Sequence, residues 1–589
     1  MLGILVLVSD RDINGDCPGA GGGGSTPPGG GGPGPGTGTG GPSLQRPPLG
    51  VGLQPLIQSV QSLTSVADPW EFWWTRNRDR YLLFREPIQW TIIVDSGGTK
   101  SYSVSPFYDE LIKILADGVT DKDPYLAFRA AIALGKAQDS MNPTLGNPKA
   151  LEILKKAYEP ENRELVEINI LLGLGLTSDA AAIAMLKDVL QKKENTPLKR
   201  SFAAVAMGYM SGNPEVSTVL REILSSEKED REVESCCCIS LGNLKDTSAV
   251  PILGKILNGD GGRKKQGMIR SYAALGLGRI ATKEALEELK KSASSGEKEV
   301  DVRLAIVTAL GMTGLPEARD AVLAFLQDKI PTARGMACIA LAQIKDPKAY
   351  EAITEALQKN KSPDADGLML IALGLSGNDK ARPDLRKILS ADNRKARPLL
   401  KAAAAVALGL LKDKDAVEII VNLLKDEKLQ YDTVLTPYLV LSLAMITGQK
   451  QSQGELSELE KQELEILQKM WARVDKNISV VAYTNLAIAM MRLTSRDGII
   501  EQLLKHTAAK DAVLRVYALH TLGLLGNRDS ARAFVEAARG NNPDVRKAAV
   551  SAIGFMLDRN AINPIDRVTA DSVDIQMRIM DHILPIPVW

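Results

Sequence analysis

At 589 residues the chain exceeds one ordinary globular domain. Apolar residues reach 44% while aromatics are only 4%, so its core must be built from small and aliphatic side chains that let helices pack closely. Charged residues are 24% and the formal net charge is +1, which excludes a bulk electrostatic draw toward nucleic acid or anionic membrane. No apolar run reaches the roughly 18 residues of a transmembrane helix.

The chain opens on MLGILVLVSD, an apolar run without a basic region before it, followed at once by Asp10-Arg11-Asp12. Residues 1–17 read either as a signal peptide that has lost its start or as an ordinary disordered start. The first reading implies export and the second leaves a cytoplasmic location open. Residues 18–50 are Gly/Pro/Thr/Ser low complexity. They have almost no apolar surface to offset ordering entropy and are expected to form a disordered tether.

Residues 51–110 differ from everything after them. Trp70, Trp73, Trp74 and Trp90 are four of six tryptophans in the chain. In DPWEFWWTRNRDRYLLF (68–84), Trp70, Trp73, Asn77 and Tyr81 fall near one helix face, with Asp68 as cap and Pro69 in the first turn. QWTIIVDSGGTKSYSV (89–104) predicts a small hairpin around Ser96-Gly97-Gly98. The segment is expected to cap the open end of the array that follows, or else to serve as an aromatic recognition patch.

From about residue 107 one unit repeats. LLKAAAAVALGLLKDKDAVEIIVNLLKD (399–426) shows it best: two amphipathic helices joined at Lys412-Asp413-Lys414-Asp415. A small residue late in the first helix recurs at Gly135, Gly173, Gly208, Gly242, Gly278, Gly311, Ala342, Gly374 and Gly409. It becomes Met445 and Met491, then returns at Gly523 and Gly554. Neighbouring markers lie 31 to 38 residues apart except across one insertion, which gives thirteen units. A basic residue stands eight positions before many markers: Arg200, Arg270, Arg303, Arg334, Lys401, Arg515 and Arg546. Neither helix can bury its stripe alone, but stacked copies can.

Segments such as EVDVRLAIVTALG (299–311), NPDVRKAAVSAIG (542–554) and KDAVLRVYALHTLG (510–523) resemble HEAT repeats, particularly the short PBS-lyase HEAT-like type. The resemblance covers about 107–565 and implies an all-α solenoid. It also implies that Asp301 with Arg303, and Asp544 with Arg546, bind neighbouring turns and helices as a structural ladder. The tryptophan-rich N-terminus and Gly/Pro tether resemble uncharacterised, exported bacterial HEAT-repeat proteins. Residues 447–476 interrupt the spacing and predict an added loop and charged helix. The stretch 566–589, ending in LPIPVW, is expected to form a C-terminal cap over the last repeat.

Residues suited to chemistry are few and scattered. Only His506, His520 and His582 exist, and none precedes Glu, so the His-Glu pairs of HEAT-repeat di-iron hydroxylases are missing. His506 and His520 lie in successive helices. Five cysteines, Cys17, Cys236, Cys237, Cys238 and Cys338, show no metal-ligand spacing, and their odd number argues against a disulfide framework. Three adjacent helical cysteines point about 100° apart and cannot converge on one ion. Cys238 and Cys338 stand four before their markers, where other units have Ala131, Ala204, Ala274 and Ala405. They are therefore expected to act as small core residues. Gly276-Leu277-Gly278-Arg279-Ile280-Ala281 matches a dinucleotide fingerprint by letter, but a helix and not a strand precedes it. Arg263-Lys264-Lys265 sits in a Gly-rich turn and reads as a solvated loop.

The second helices offer mixed charge, including Glu287, Lys291, Asp320, Glu351, Lys387, Glu418, Arg532 and Arg539. The expectation is an α-solenoid of about thirteen helix pairs following an arc on the order of 120 Å, its concave face lined by second helices. No catalytic, cofactor or metal residues are assigned. The expected role is a non-catalytic scaffold for a protein or peptide. The alternatives are a bilin-lyase-like or other HEAT-like enzyme and an envelope-associated structural protein.

Overall fold

The computed structural model describes residues 68–78, 91–94, 100–103 and, apart from short connecting stretches, 107–558. Cys17, His582, Arg263-Lys264-Lys265, the tether and the expected C-terminal cap lie outside the described residues. The expected hairpin pairs Thr91–Val94 antiparallel with Lys100–Ser103, Ile92 opposite Tyr102. Its turn also lies outside the described residues.

The array is an α-solenoid of helix pairs. First helices run, unit by unit, Pro124–Lys136, Glu164–Thr177, Pro197–Met207, Arg231–Asn243, Gly267–Ile280, Val300–Met312, Pro331–Gln343, Pro363–Leu375, Pro398–Leu410, Thr436–Ile446, Val480–Leu493, Ala512–Leu525 and Pro543–Leu557. Proline at the start of many of them pre-sets the first turn without losing a hydrogen bond. Many first helices end in a tight turn three residues past the marker. There Lys245, Ala281, Gly314, Lys345, Gly377, Lys412 and Gly526 are left-handed, with φ between 52° and 66°.

The marker column explains itself in the packing. A Cβ on Gly242 would lie 2.7 Å from Gly276 Cα in the next unit, and one on Gly278 would lie 2.7 Å from Ala309 Cα. Gly311 faces Ala340 at 2.8 Å, Gly374 faces Ala407 at 2.7 Å, and Gly523 faces Ala552 at 2.6 Å in the same way. Each of these markers thus meets the residue two before the next marker, whereas Gly409 meets the side chain of Met445. By this register the second unit's marker is Gly175, which faces Ala206 Cα at 2.6 Å, and not Gly173, which instead receives Gly135. The left-handed residue Ser178, three after Gly175, confirms the shift.

Such close approach places the first helices on the inside. Where two rows of equal number curve together, the row with the shorter spacing is the inner one. The first helices are buried on every side from their second turn, whereas second helices keep an exposed charged face that includes Glu287, Asp320, Glu351 and Glu418. The concave side is therefore lined by first helices, correcting the expectation drawn from sequence. The unit was read from its charge pattern, which tells exposed from buried but not inward from outward.

The curve closes into a ring. The last first helix, Pro543–Leu557, packs against both Ala512–Leu525 before it and Pro124–Lys136 of unit 1. Tyr108–Gly118, from the other end of the array, takes a second-helix place beside it, packing on Ala531–Ala538 of unit 12 and on Pro543–Leu557. Arg539 at the end of unit 12 reaches Glu110 at 2.5 Å. The seam is completed by Lys136 on Asp558 at 2.6 Å, with both side chains buried, and by an antiparallel bridge between Ala137 and Asp558. Thirteen inner helices spaced at roughly 8–10 Å give a ring about 35–40 Å across between opposite axes. Among the described residues, the two ends of the array therefore meet each other across this seam.

The basic column forms the expected ladder with different partners. Arg200 donates from Nε to the Leu190 carbonyl at 2.7 Å and from its Nη atoms to Glu229 at 2.7 Å. Arg334 donates to the Asp328 carbonyl at 2.8 Å and to Asn360 Oδ1 at 2.7 Å. Arg303 donates to the Glu297 carbonyl at 2.8 Å and pairs with Asp328, not Asp301. Arg546 pairs with Asp121 at 3.0 Å, while Asp544 reaches Lys547 on its own helix at 3.7 Å. Each rung ties the end of a second helix to the loop opening the next unit. The predicted charged helix of the insertion, Glu458–Trp471, is no addition: it is the second helix of unit 10, with Met470 and Trp471 buried in the core.

Candidate interaction site: the tryptophan helix and its seat

Residues Pro69–Asn77 form the expected helix. Asp68 stands at the cap position in extended conformation but its side chain makes no capping bond. Glu71 lies in the first turn, where the helix dipole favours an anion. Asn77 Nδ2 donates to the Trp73 carbonyl at 2.8 Å and ties the last turn. Trp70, Trp73 and Trp74 are three and four residues apart, so they share one face, and all are 2% exposed or less. A nine-residue helix is marginal alone; burial of those rings holds it.

The seat lies across the N-terminal turns of the first helices of units 8 to 10. Unit 8 contributes Gly367, where a Cβ would stand 2.6 Å from Trp70 Cγ. The equivalent glycine of unit 7, Gly335, is filled by Leu368 of the next unit. In unit 8 the space goes to Trp70 instead. Unit 10 contributes Tyr438, whose ring meets Trp70 edge-on with centroids 5.0 Å apart, and whose hydroxyl donates to Glu71 Oε1 at 3.0 Å. Arg397, capping unit 9, donates to the Pro363 carbonyl at 3.1 Å and stands 3.8 Å from Asp68 Oδ2.

The seat is electrostatically unusual. Burial pushes the Asp68 carboxyl up to about 6; Arg397 pulls it down, and Asp364 and Asp366 push it further up. Burial also raises Glu71, against the pull of the Tyr438 hydroxyl. Asp366 occupies the place where other units carry the ladder base, and it accepts from Asn360 Nδ2 at 2.6 Å. The first helix of unit 8 thus departs from the basic column at Asp366, next to Gly367, where the tryptophan helix docks.

The other residues singled out by chemistry are spent on packing. Cys236, Cys237, Cys238 and Cys338 are buried, and burial pushes the Cys236 and Cys338 thiols up to about 12. His506 Nδ1 shares a hydrogen bond of 2.7 Å with the Tyr483 hydroxyl and stacks on Trp471 with centroids 5.4 Å apart. His520 sits edge-on to Phe555 instead. Tyr483 occupies the ladder position eight before Met491, so an aromatic rung replaces the ionic one there. Among the described residues, no group of three or more His, Cys, Asp or Glu side chains could hold a metal ion, and no helix is long and apolar enough to cross a membrane. Gly276 and Gly278 lie mid-helix against Cys238 and Ala309. Sequence reasoning missed Gly367, Arg397 and Tyr438. The acidic Asp366 in the basic column was no sufficient signal, because Glu167 and Glu234 stand at the same place in units 2 and 4.

Comparison with known proteins agrees with the fold. The model of HEAT repeats matches residues 263–331, 295–366, 321–398 and 500–579, and that of the PBS lyase HEAT-like repeat matches 400–426. Deoxyhypusine hydroxylase from Mus musculus is 34% identical over 101 residues, 17% of this chain and 32% of that protein. The Homo sapiens protein of the same name is 35% identical over 92 residues, 16% of this chain and 30% of its own length. The chain therefore spans about a third of the curated relatives it matches. Among solved structures, the complex of CpcE and CpcF of phycocyanin lyase from Nostoc sp. is similar at 22% identity and a TM-score of 0.29, covering 40% of this chain and 92% of that one. With its repeat register, its ladder and two matching repeat models, the chain is a HEAT-repeat protein.

Proposed function

We propose that this chain is a non-catalytic scaffold that binds a protein or peptide segment on its helical surface. The observation that carries this reading is the seat. The array holds a helix from far away in its own chain by a buried tryptophan, a shape-matched glycine and a hydrogen-bonded carboxylate. This is helix-in-groove recognition, with an aromatic anchor at the centre and polar groups setting orientation. The outer second helices, mixed in charge, offer a broad surface to the same end.

Affinity capture from the native cell, read by mass spectrometry, tests the proposal with the full chain and with a chain starting at residue 107, which keeps the closing helix. Recovery of a defined partner by the full chain is expected. Recovery of none by either chain, with a cofactor held in the purified protein, would overturn it in favour of an enzyme. That second reading draws on the partial similarity to deoxyhypusine hydroxylase and on no residue set in this chain.

A further inference from the structure

The seat on units 8 to 10 receives a short helix joined to the ring by residues 78–107. That helix makes its named contacts with residues nearly 300 positions or more further on: Gly367, Arg397 and Tyr438. Among the contacts of the described residues, the rungs and seam pairs named above do not include it. Among the described residues, the contacts named here join helix and ring across this one seat. We propose that the seat is an exchangeable helix-binding site whose occupant in trans is the Asp68–Asn77 helix of a second copy of this chain. The inference rests on the scaffold reading and names its partner.

Three features of the interface support exchange. The contacts named above come from side chains and one glycine, so a helix from another copy can make them in the same way. It is selective, because Trp70 fills a space that a Cβ at Gly367 would close, and Glu71 meets the Tyr438 hydroxyl. Its tether sets an effective concentration on the order of millimolar, so a single chain keeps its own helix at micromolar concentration. Exchange becomes visible when one copy cannot fill its own seat. Swapping an identical element in this way is a low-cost route to a dimer.

Two full-length variants test this. Trp70→Ala removes the anchor and leaves the seat vacant. Gly367→Leu blocks the seat and leaves the helix vacant. Sedimentation at about 50 μM is expected to show each variant, and the unaltered chain, at the mass of one chain, and their equimolar mixture at twice that mass. Helical circular dichroism of each variant checks that the ring has folded. A fluorescent peptide of residues 66–79 provides a second measurement that needs only the Trp70→Ala chain. It should bind that chain at least tenfold more tightly than the unaltered one. A mixture that stays at single-chain mass with both variants folded overturns the proposal, as does a peptide that binds both chains equally. Either result leaves partner binding by the outer helices standing, so it is distinguishable from failure of the scaffold reading.

Discussion

Arg546 and Asp121 meet 3.0 Å apart although 425 positions separate them. The pair is the same rung that Arg303 and Asp328 make within unit 6, and it marks Tyr108–Gly118 as the second helix of unit 13. The ladder therefore crosses the seam, as the packing does.

The buried partner of that rung is the pair Lys136–Asp558. Asp558→Ala leaves the Lys136 ammonium buried without its carboxylate. A loss of about 3–5 kcal/mol is expected, read as a lower midpoint in urea unfolding. Exchanging both residues together, Lys136→Met with Asp558→Leu, should recover part of the loss, because the buried ammonium and its carboxylate are then removed together.

Glycines divide into two classes by mechanism. Gly242→Ala drives a Cβ to 2.7 Å from the Gly276 backbone, which cannot give without separating two inner helices. A cost of about 2–3 kcal/mol is expected. Gly314→Ala, at φ 63° with open space around it, should cost only about 1 kcal/mol. Ala281→Gly, at φ 57° in the equivalent turn, should raise stability by about 0.5–1 kcal/mol. Denaturant midpoints of the three variants check the order.

Glu463 is 1% exposed and accepts from the Thr447 hydroxyl at 3.3 Å. Burial pushes its carboxyl up to about 7, against the pull of Thr447. The folded chain keeps a proton there that the unfolded chain releases near pH 4.5. Its stabilisation is thus complete below about pH 4.5 and lost as pH rises through about 7, a change of roughly 2–3 kcal/mol between pH 5 and 8. Asp68, at about 6, acts in the same direction. Urea midpoints should fall over that interval, and Glu463→Gln should remove much of the slope. A midpoint that rises with pH in the unaltered chain would refute this assignment.

Cys236, Cys237 and Cys338 are 2% exposed or less, and burial holds all three thiols above their usual range. Alkylation of the native chain followed by peptide mapping should leave them unmodified. The same treatment in guanidinium should modify all three.

The unit, its period and its small-residue column were legible because each recurs in local sequence. The spacing of Leu172-Gly173-Leu174-Gly175 left the phase of unit 2 open, since two glycines two apart fit equally well and only the neighbour's backbone selects Gly175. Closure was not legible. It depends on the small rotation accumulated over all units and on a pairing of Asp121 with Arg546 that no local window contains. The tryptophan helix was read correctly as a helix, with Pro69 opening it. Its seat was not, because Tyr438 lies in a unit whose marker has become Met445 and reads there as one more core residue.

Ring closure by Tyr108–Gly118 also orders the chain's assembly in time. That helix is among the first parts of the array to be synthesised, and Pro543–Leu557, which it must cover, is among the last. Units 1 to 12 can stack on one another as they emerge, but the two exposed ends must wait for each other until synthesis is nearly over. Circularly permuting the chain so that Pro543–Leu557 directly precedes Tyr108–Gly118 would make the seam a local contact and let the ring close without that wait.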